Sequence, residues 1–367
     1  MNLHLVVTTF IGGLFFTAAQ SVPTTAQPSK VTAELELRIG ALGGAYAFGS
    51  VEAVTADRYG RVYVLESDMH RARVFDRDGR LRHTLGREGH GPGELDSPVG
   101  LAWESDTLLW IIDPGNNRAS VFCSNGAYVG DRLLPSAFAL APWPGRFDRS
   151  GNLLHYAPAK SGDEFAYVMV KYDSQMVPLD TIIPPTPPAP IEVFETRTER
   201  YGVVRASVPF APKLIWRLDS GAKVWWSWTA NFAIYTGADA ATPIITSSHS
   251  GPRVTGADRA AAIEGLRRFR QVGGRVDQSR IPDKKPALRT FFLDDEDQVW
   301  VMPELPNEQT GRRLDWFDGD GKHLGSVALP IRLSSAPPPV MRGGRLYGVE
   351  HDELGVPYVV VIRVSSS

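Results

Sequence analysis

Six recurrences of a small or acidic turn leading into an alternating strand, a repeat unit of about 45 residues, and two incomplete ends that complement each other predict an all-β chain. The predicted fold is a six-bladed β-propeller of four-stranded blades, closed by an amino-terminal strand that joins the last blade, with a short helical insertion. The propeller is assigned to residues 31–364, the insertion to about 247–286, and residues 1–26 to a signal peptide.

The chain opens with "MNLHLVVTTFIGGLFFTAAQSVPTTAQPSK", an apolar stretch followed by small residues. That pattern suits a secretory signal better than a membrane helix, which needs a longer apolar run. Cleavage after Ala19 or Ala26 fits; no Lys or Arg precedes the apolar run, so His4 and the amino terminus would supply the positive charge. A buried terminal strand or a retained anchor are the alternatives. The 39 Lys and Arg nearly balance the 41 Asp and Glu, so no overall field draws the protein to nucleic acid or to an anionic membrane. With Cys123 as the single cysteine, there is no internal disulfide. A soluble monomer in the periplasm or outside the cell, with no nucleic-acid partner and no stable membrane insertion after cleavage, is the expectation.

The repeated stretches are "DRYGRVYVLESD", "ESDTLLWIIDPG", "DRSGNLLHYAPA", "LDSGAKVWWSWT", "DDEDQVWVMPEL" and "RGGRLYGVEHD". Tyr63, Trp110, His155, Trp225, Trp300 and Tyr347 mark the shared position, at spacings of 47, 45, 70, 75 and 47 residues. The two long spacings hold insertions. After each marker a second strand tends to end in an aromatic residue and a polar turn, as in "VFDRDG" and "VFCSNG", and Phe75 and Phe122 both lie twelve residues beyond their markers. Equal spacing puts both rings in one packing layer, so these are read as core positions.

"LGREGHGPGELDSP", Leu85 to Pro98, could be taken for a phosphate-cradling loop. No helix follows it, and such loops depend on helix amides, so it is read as the crossing from the rim of one blade to the centre of the next. "LELRIGALGGAYAFGSVEAVTAD" repeats the crossing, with Gly40 in the place of Gly86 and Phe48 near that of Leu95. Residues 31–40 therefore read as an outer strand without a blade, and "VPYVVVIRV" ends a last blade that lacks one. Joining the two closes the ring and removes exposed sheet edges.

"DPGNNRASVF", the crossing "GREGHGPGELDSPVGLA", and "KKPALRTFFLDDEDQVWV" with "FDGDGKHLGSVALP" and "DELGVPYVVVIRV" resemble the NHL-repeat six-bladed β-propellers, especially exported bacterial ones. The resemblance spans most of residues 31–364, with blades three and four matching loosely. It implies the fold; it implies no single function, since propellers host binding, lyase and hydrolase activities.

Propellers bind ligands at the channel mouths. Candidate ligand-binding residues are Glu52 on the first inner strand, His90 in the crossing beside Glu94 and Asp96, and Arg205, Arg289 and Arg342 before or on later inner strands. Arginines converging with an acid could grip a carboxylate or phosphate; equally, each could pair with a neighbouring acid. Asp68 with Arg71, and Asp113 with Arg118, recur at matched places and read as structural pairs.

A lactonase-type metal site would need Glu52 joined by Asn or Asp from other inner strands, and "SPVGLAW", "SAFALAP" and "ALRTFFL" offer none. The eight histidines show no H-x-H or H-x-x-x-H pair, there is no G-x-S-x-G elbow, and Cys123 reads as an inert strand residue. No catalytic residue, metal site or cofactor is assigned. In "TGADRAAAIEGLRRFRQVGG", Thr255 and Asp258 form a capping box, and Ile263, Leu266 and Phe269 make a helical stripe expected to pack on the propeller, with the arginines facing water. The leading functional expectation is a non-catalytic binding or scaffold propeller that holds an unidentified small molecule or protein. The alternative is a metal-dependent hydrolase or lyase, lactonase-like, with its site at the channel.

Overall fold

Runs of β-branched and aromatic residues cut by acidic turns fold, in chain order, into antiparallel ladders. The computed structural model describes residues 31–136, 143–161, 164–200, 202–306 and 309–366; the predicted signal peptide lies outside the described residues. Strand β1 (Val31–Ile39) comes first but pairs with the last strand of the chain. Blade one is β2 (Ala53–Ala56), β3 (Val62–Glu66), β4 (Arg71–Phe75) and β5 (Leu81–Leu85); blade two is β6 (Gly100–Trp103), β7 (Leu108–Asp113), β8 (Arg118–Cys123) and β9 (Tyr128–Leu133). Blade three is β10 (Arg146–Phe147), β11 (Leu153–Ser161), β12 (Glu164–Tyr172) and β13 (Pro178–Ile182). A separate hairpin, β14 (Val193–Thr198) with β15 (Gly202–Ser207), precedes blade four: β16 (Leu214–Leu218), β17 (Val224–Trp228), β18 (Ala233–Thr236) and β19 (Ile245–Thr246). Helices α1 (Gly256–Gly265) and α2 (Arg267–Gln271) lead to blade five: β20 (Leu288–Leu293), β21 (Val299–Pro303), β22 (Arg313–Phe317) and β23 (His323–Ala328). Blade six is β24 (Val340–Arg342), β25 (Arg345–His351) and β26 (Pro357–Ser366), completed by β1.

The predicted closure is present: β1 runs antiparallel to β26, from Val31 opposite Ser366 to Ile39 opposite Val359. The six markers all lie on second strands and are buried, as are Phe75 and Phe122. Their shared polar tip has a reason. Trp225 Nε1 donates to Asp219 Oδ2 at 3.0 Å, Trp300 Nε1 to Asp294 Oδ2 at 2.9 Å, Trp110 Nε1 to Glu104 Oε2 at 2.7 Å, and the Tyr63 hydroxyl donates to Asp57 Oδ2 at 3.3 Å. Each acceptor opens the turn before its marker strand. A marker thus buries a ring between blades and ties its tip to the preceding turn, which satisfies a carboxylate that would be costly to leave unpaired there.

The crossing from Leu85 to Pro98 is a mechanical part. Gly86 adopts φ +77°, and a Cβ there would meet Leu95 Cδ1 at 2.4 Å; Leu95 is fully buried. Glu94 folds back to accept from Gly91 N at 2.8 Å and Arg87 Nε at 2.9 Å; the Gly91 amide is the main reason its carboxyl titrates below the usual range. The matched pairs expected from sequence form differently. Arg71 donates to Glu66 at 3.1 Å, while Asp68 accepts from Ser50 at 2.8 Å. Asp113 accepts from the Ser97 and Asp96 amides, and Arg118 reaches Asp131 at 3.1 Å and Glu94 O at 3.0 Å. These acids and arginines are structural, but each acid and arginine finds a different partner from the one expected: Arg71 and Arg118 tie adjacent strands through Glu66 and Asp131, while Asp68, Asp113 and Arg118 also hold the crossings.

The helical stripe also differs from expectation. Phe269, Ile263 and Leu266 pack with Phe194, Val204 and Val208 of the hairpin and its exit, so two insertions from neighbouring crossings make a small core of their own. The capping box of Thr255 and Asp258 is present.

Candidate functional site

First strands of neighbouring blades touch: β2 meets β6 and β24, β10 meets β6, and β20 meets β16 and β24. They line the channel. Each runs from a crossing loop to the turn that begins the second strand, so crossings gather at one mouth and first turns at the other. Hairpin and helices both belong to crossings, and they pack on each other on the crossing side of the ring.

Glu52 stands there, just ahead of β2, its amide bonded to Leu65 O at 2.9 Å. It is partly buried, and among the described residues its carboxylate meets no hydrogen-bond donor or cation; burial pushes its pKa up. Arg289, second on β20, shares this mouth and lies 4.0 Å from Glu304, which follows β21. Burial raises the Glu304 pKa in spite of Arg289 and Lys285. The helical insertion leans on this point, for His249 Nε2 lies 2.8 Å from Glu304 O. Lys285, buried, holds the capping-box Asp258 at 2.7 Å. His90 is exposed in the crossing, with Nδ1 at 2.6 Å from Asn116 Oδ1.

The other two candidates lie elsewhere. Arg205 is on β15, outside the blades, paired at 2.8 Å with the cross-strand Glu195. Arg342 ends β24 at the opposite mouth, donating to Ala56 O at 2.8 Å and pairing with Asp106 at 2.6 Å. The structure thus brings Glu52 and Arg289 to one mouth, with His90 on the same side, and does not bring Arg205 or Arg342 to them.

Two inner-strand arginines escaped the sequence reading. Arg146 on β10 and Arg217 on β16 each lie two residues before the Asp that opens the first turn, Asp148 and Asp219. Blades one, two and five carry Thr55, Ala102 and Phe292 at that place, so two basic residues among apolar or small ones were the available signal.

Glu52 is the acid at the crossing-side mouth without a partner, and among the described residues no three His, Cys, Asp or Glu side chains gather into a metal site. Two hollows lie elsewhere, one of about 370 Å³ beside Glu36, Arg345 and Arg363 on blade six and another of about 590 Å³ beside His83 and Arg61 on blade one.

No family model and no curated protein matches the sequence. Three solved structures are similar along nearly their whole length. A protein named as exported, from Bacteroides fragilis, is 13% identical over 91% of this chain and 96% of its own, with a TM-score of 0.48. Virginiamycin B lyase from Staphylococcus aureus, solved with quinupristin, is 10% identical over 92% and 100%, with 0.39. A gluconolactonase from Xanthomonas campestris is 11% identical over 93% and 99%, with 0.41. The fold is a six-bladed β-propeller. At these identities and TM-scores no ligand or reaction follows for this propeller, and the comparisons do not show the NHL repeat.

Proposed function

We propose that the protein is a non-catalytic binding propeller, exported to the periplasm or the cell exterior, which holds a small ligand or a protein segment at the crossing-side mouth of its channel. The observation that carries this reading is Glu52, which keeps a partly buried carboxylate without a protein partner at the crossing-side mouth, the side on which two insertions from separate crossings pack on each other. A polar group left unmatched at a channel mouth is suited to a ligand's hydrogen bond. Export agrees with the amino-terminal composition. Among the described residues no helix is long and apolar enough to cross a membrane.

The test has two arms. Thermal-shift titration with neutral saccharides, amino acids and small carboxylic acids is expected to find a saturable stabilisation that Glu52→Leu weakens. Metal content after equilibration with calcium and zinc and dialysis is expected to stay below one equivalent, with no turnover of lactones. One retained equivalent together with lactone hydrolysis lost in Glu52→Ala would overturn the binding reading in favour of a metal-dependent hydrolase.

A further inference from the structure

Arg217 sits in the channel wall without an acid. Its Nη1 donates to Trp216 O at 2.8 Å and its Nη2 to Thr290 Oγ1, on the next blade, at 3.4 Å; its guanidinium carbon is 5.8 Å from the Phe291 ring centre. Arg146, on the preceding blade, donates through Nη1 to Leu218 O, the carbonyl of the residue after Arg217, at 2.8 Å and through Nε to Phe147 O at 3.3 Å. Among the described residues, no carboxylate lies within ion-pair distance of either guanidinium. The acids nearest in sequence are engaged: Asp148 with Lys171 at 2.6 Å, Asp219 with Trp225 and the amides of its own turn.

Arg342 shows what a structural arginine looks like in this ring. It bridges to the next blade through Ala56 O, as Arg146 does through Leu218 O, but it also has Asp106. Arg217 has five N–H donors and meets two acceptors, both uncharged, so most of its hydrogen-bonding capacity is unspent. Desolvation lowers its pKa to about 10; it lowers that of Arg146 as well, there against the opposing pull of Asp297, Asp219 and Asp148. A partly buried guanidinium with no ion-pair partner is unfavourable, and a methionine or leucine would fill the same space without that cost. An anion supplied from outside resolves the imbalance, and the planar fork of arginine suits an oxyanion.

We propose that Arg217, assisted by Arg146, forms an oxyanion site in the channel wall where blades three, four and five meet, and that it receives a carboxylate or phosphate group of the ligand. Arg217 is the last residue but one of β16 and Thr290 lies midway along β20, so the site sits in the channel wall on the side of the first turns, away from the crossings. The inference rests on the binding reading above and names the chemistry of the ligand.

The test is calorimetric titration of the exported protein with inorganic phosphate and, separately, citrate, at constant ionic strength, with glucose as the neutral comparison. Saturable binding of one of the two anions is expected, and which one binds separates the phosphate from the carboxylate source. Arg217→Met is expected to weaken binding roughly ten- to hundredfold, the range for a charge-assisted hydrogen bond. The same variant is expected to keep or raise Tm, because an unpaired, partly buried charge is exchanged for apolar volume. Arg217→Lys, which keeps the charge and loses the fork, is expected to fold normally and to bind more weakly than wild type. Absence of saturable binding by both anions overturns the site, as does binding left unchanged in Arg217→Lys and Arg146→Met, or a fall in Tm in Arg217→Met. If the anions fail while a neutral probe still binds in a Glu52-dependent way, the anion site falls and the binding reading stands; retained metal with lactone turnover removes both.

Discussion

His155 is, with Tyr347, one of the two markers without a bond to the acid of the preceding turn. Where Trp225 and Trp300 bond the turn acid before their strands, His155 accepts from Trp143 Nε1 at 3.2 Å through Nδ1 and lies 3.1 Å from Ser136 O through Nε2. Nδ1 must therefore be the acceptor and Nε2 the protonated nitrogen, a neutral ring. Burial lowers its pKa from the ordinary 6.5. The folded state thus binds its proton less readily than the unfolded chain, so its contribution to stability is complete above about pH 6.5 and is lost as pH falls below it. Urea midpoints at pH 7.5 and 5.5 are expected to differ more in wild type than in His155→Leu; an equal difference would contradict the assignment. At a regular marker, Trp300→Phe keeps an aromatic ring but leaves Asp294 Oδ2 without its donor, while Oδ1 still accepts from the Glu296 and Gln298 amides, and is expected to cost about 1–3 kcal/mol in urea unfolding. The aromatic nature of the markers was legible in the sequence. Their bonds to the turn acids were not read there, although each acceptor lies six residues earlier.

At the scale of elements, strand lengths, turns and the capping box were all legible, because each depends on residues close together in the chain. The stripe of Ile263, Leu266 and Phe269 was legible as a stripe, and its partner was not. That partner is the hairpin around Phe194, some 75 residues earlier, brought alongside because both segments leave the same mouth. Phe269→Ala is expected to cost roughly 3–5 kcal/mol of the local stability of the two insertions. Hydrogen exchange would show the loss in β14, β15 and the helices, with blades one and two unchanged; uniform loss of protection through the ring would show instead that insertions and propeller unfold as one unit.

The molecule as a whole depends on β1. Glu36, at the register shift of β1, accepts from Arg345 Nε at 2.7 Å and pairs with Arg363, so a residue near the start of the propeller ties two strands near its end. Burial works to raise the Glu36 pKa, but Arg345 and Arg363 outweigh it and hold the carboxyl below its ordinary range. Its stabilising effect is present above the unfolded value and is lost as pH falls through the lowered one. Removing residues 31–39 would leave β26 as an open edge, and size-exclusion chromatography is expected to show oligomers or aggregate. A monomer with wild-type Tm would show that the ring does not need this strand. By itself the sequence determined the number of blades, the crossings and the closure, because a repeat with matched spacing admits few other ways to bury its strands. Only the tertiary structure decided which charges are paired and which mouth each faces: Arg342 meets Asp106 from 236 residues away, while Arg217 reaches only neutral groups on the next blade. Side chains so far apart in the chain become neighbours through closure of the ring, which sequence spacing records only as a count of turns.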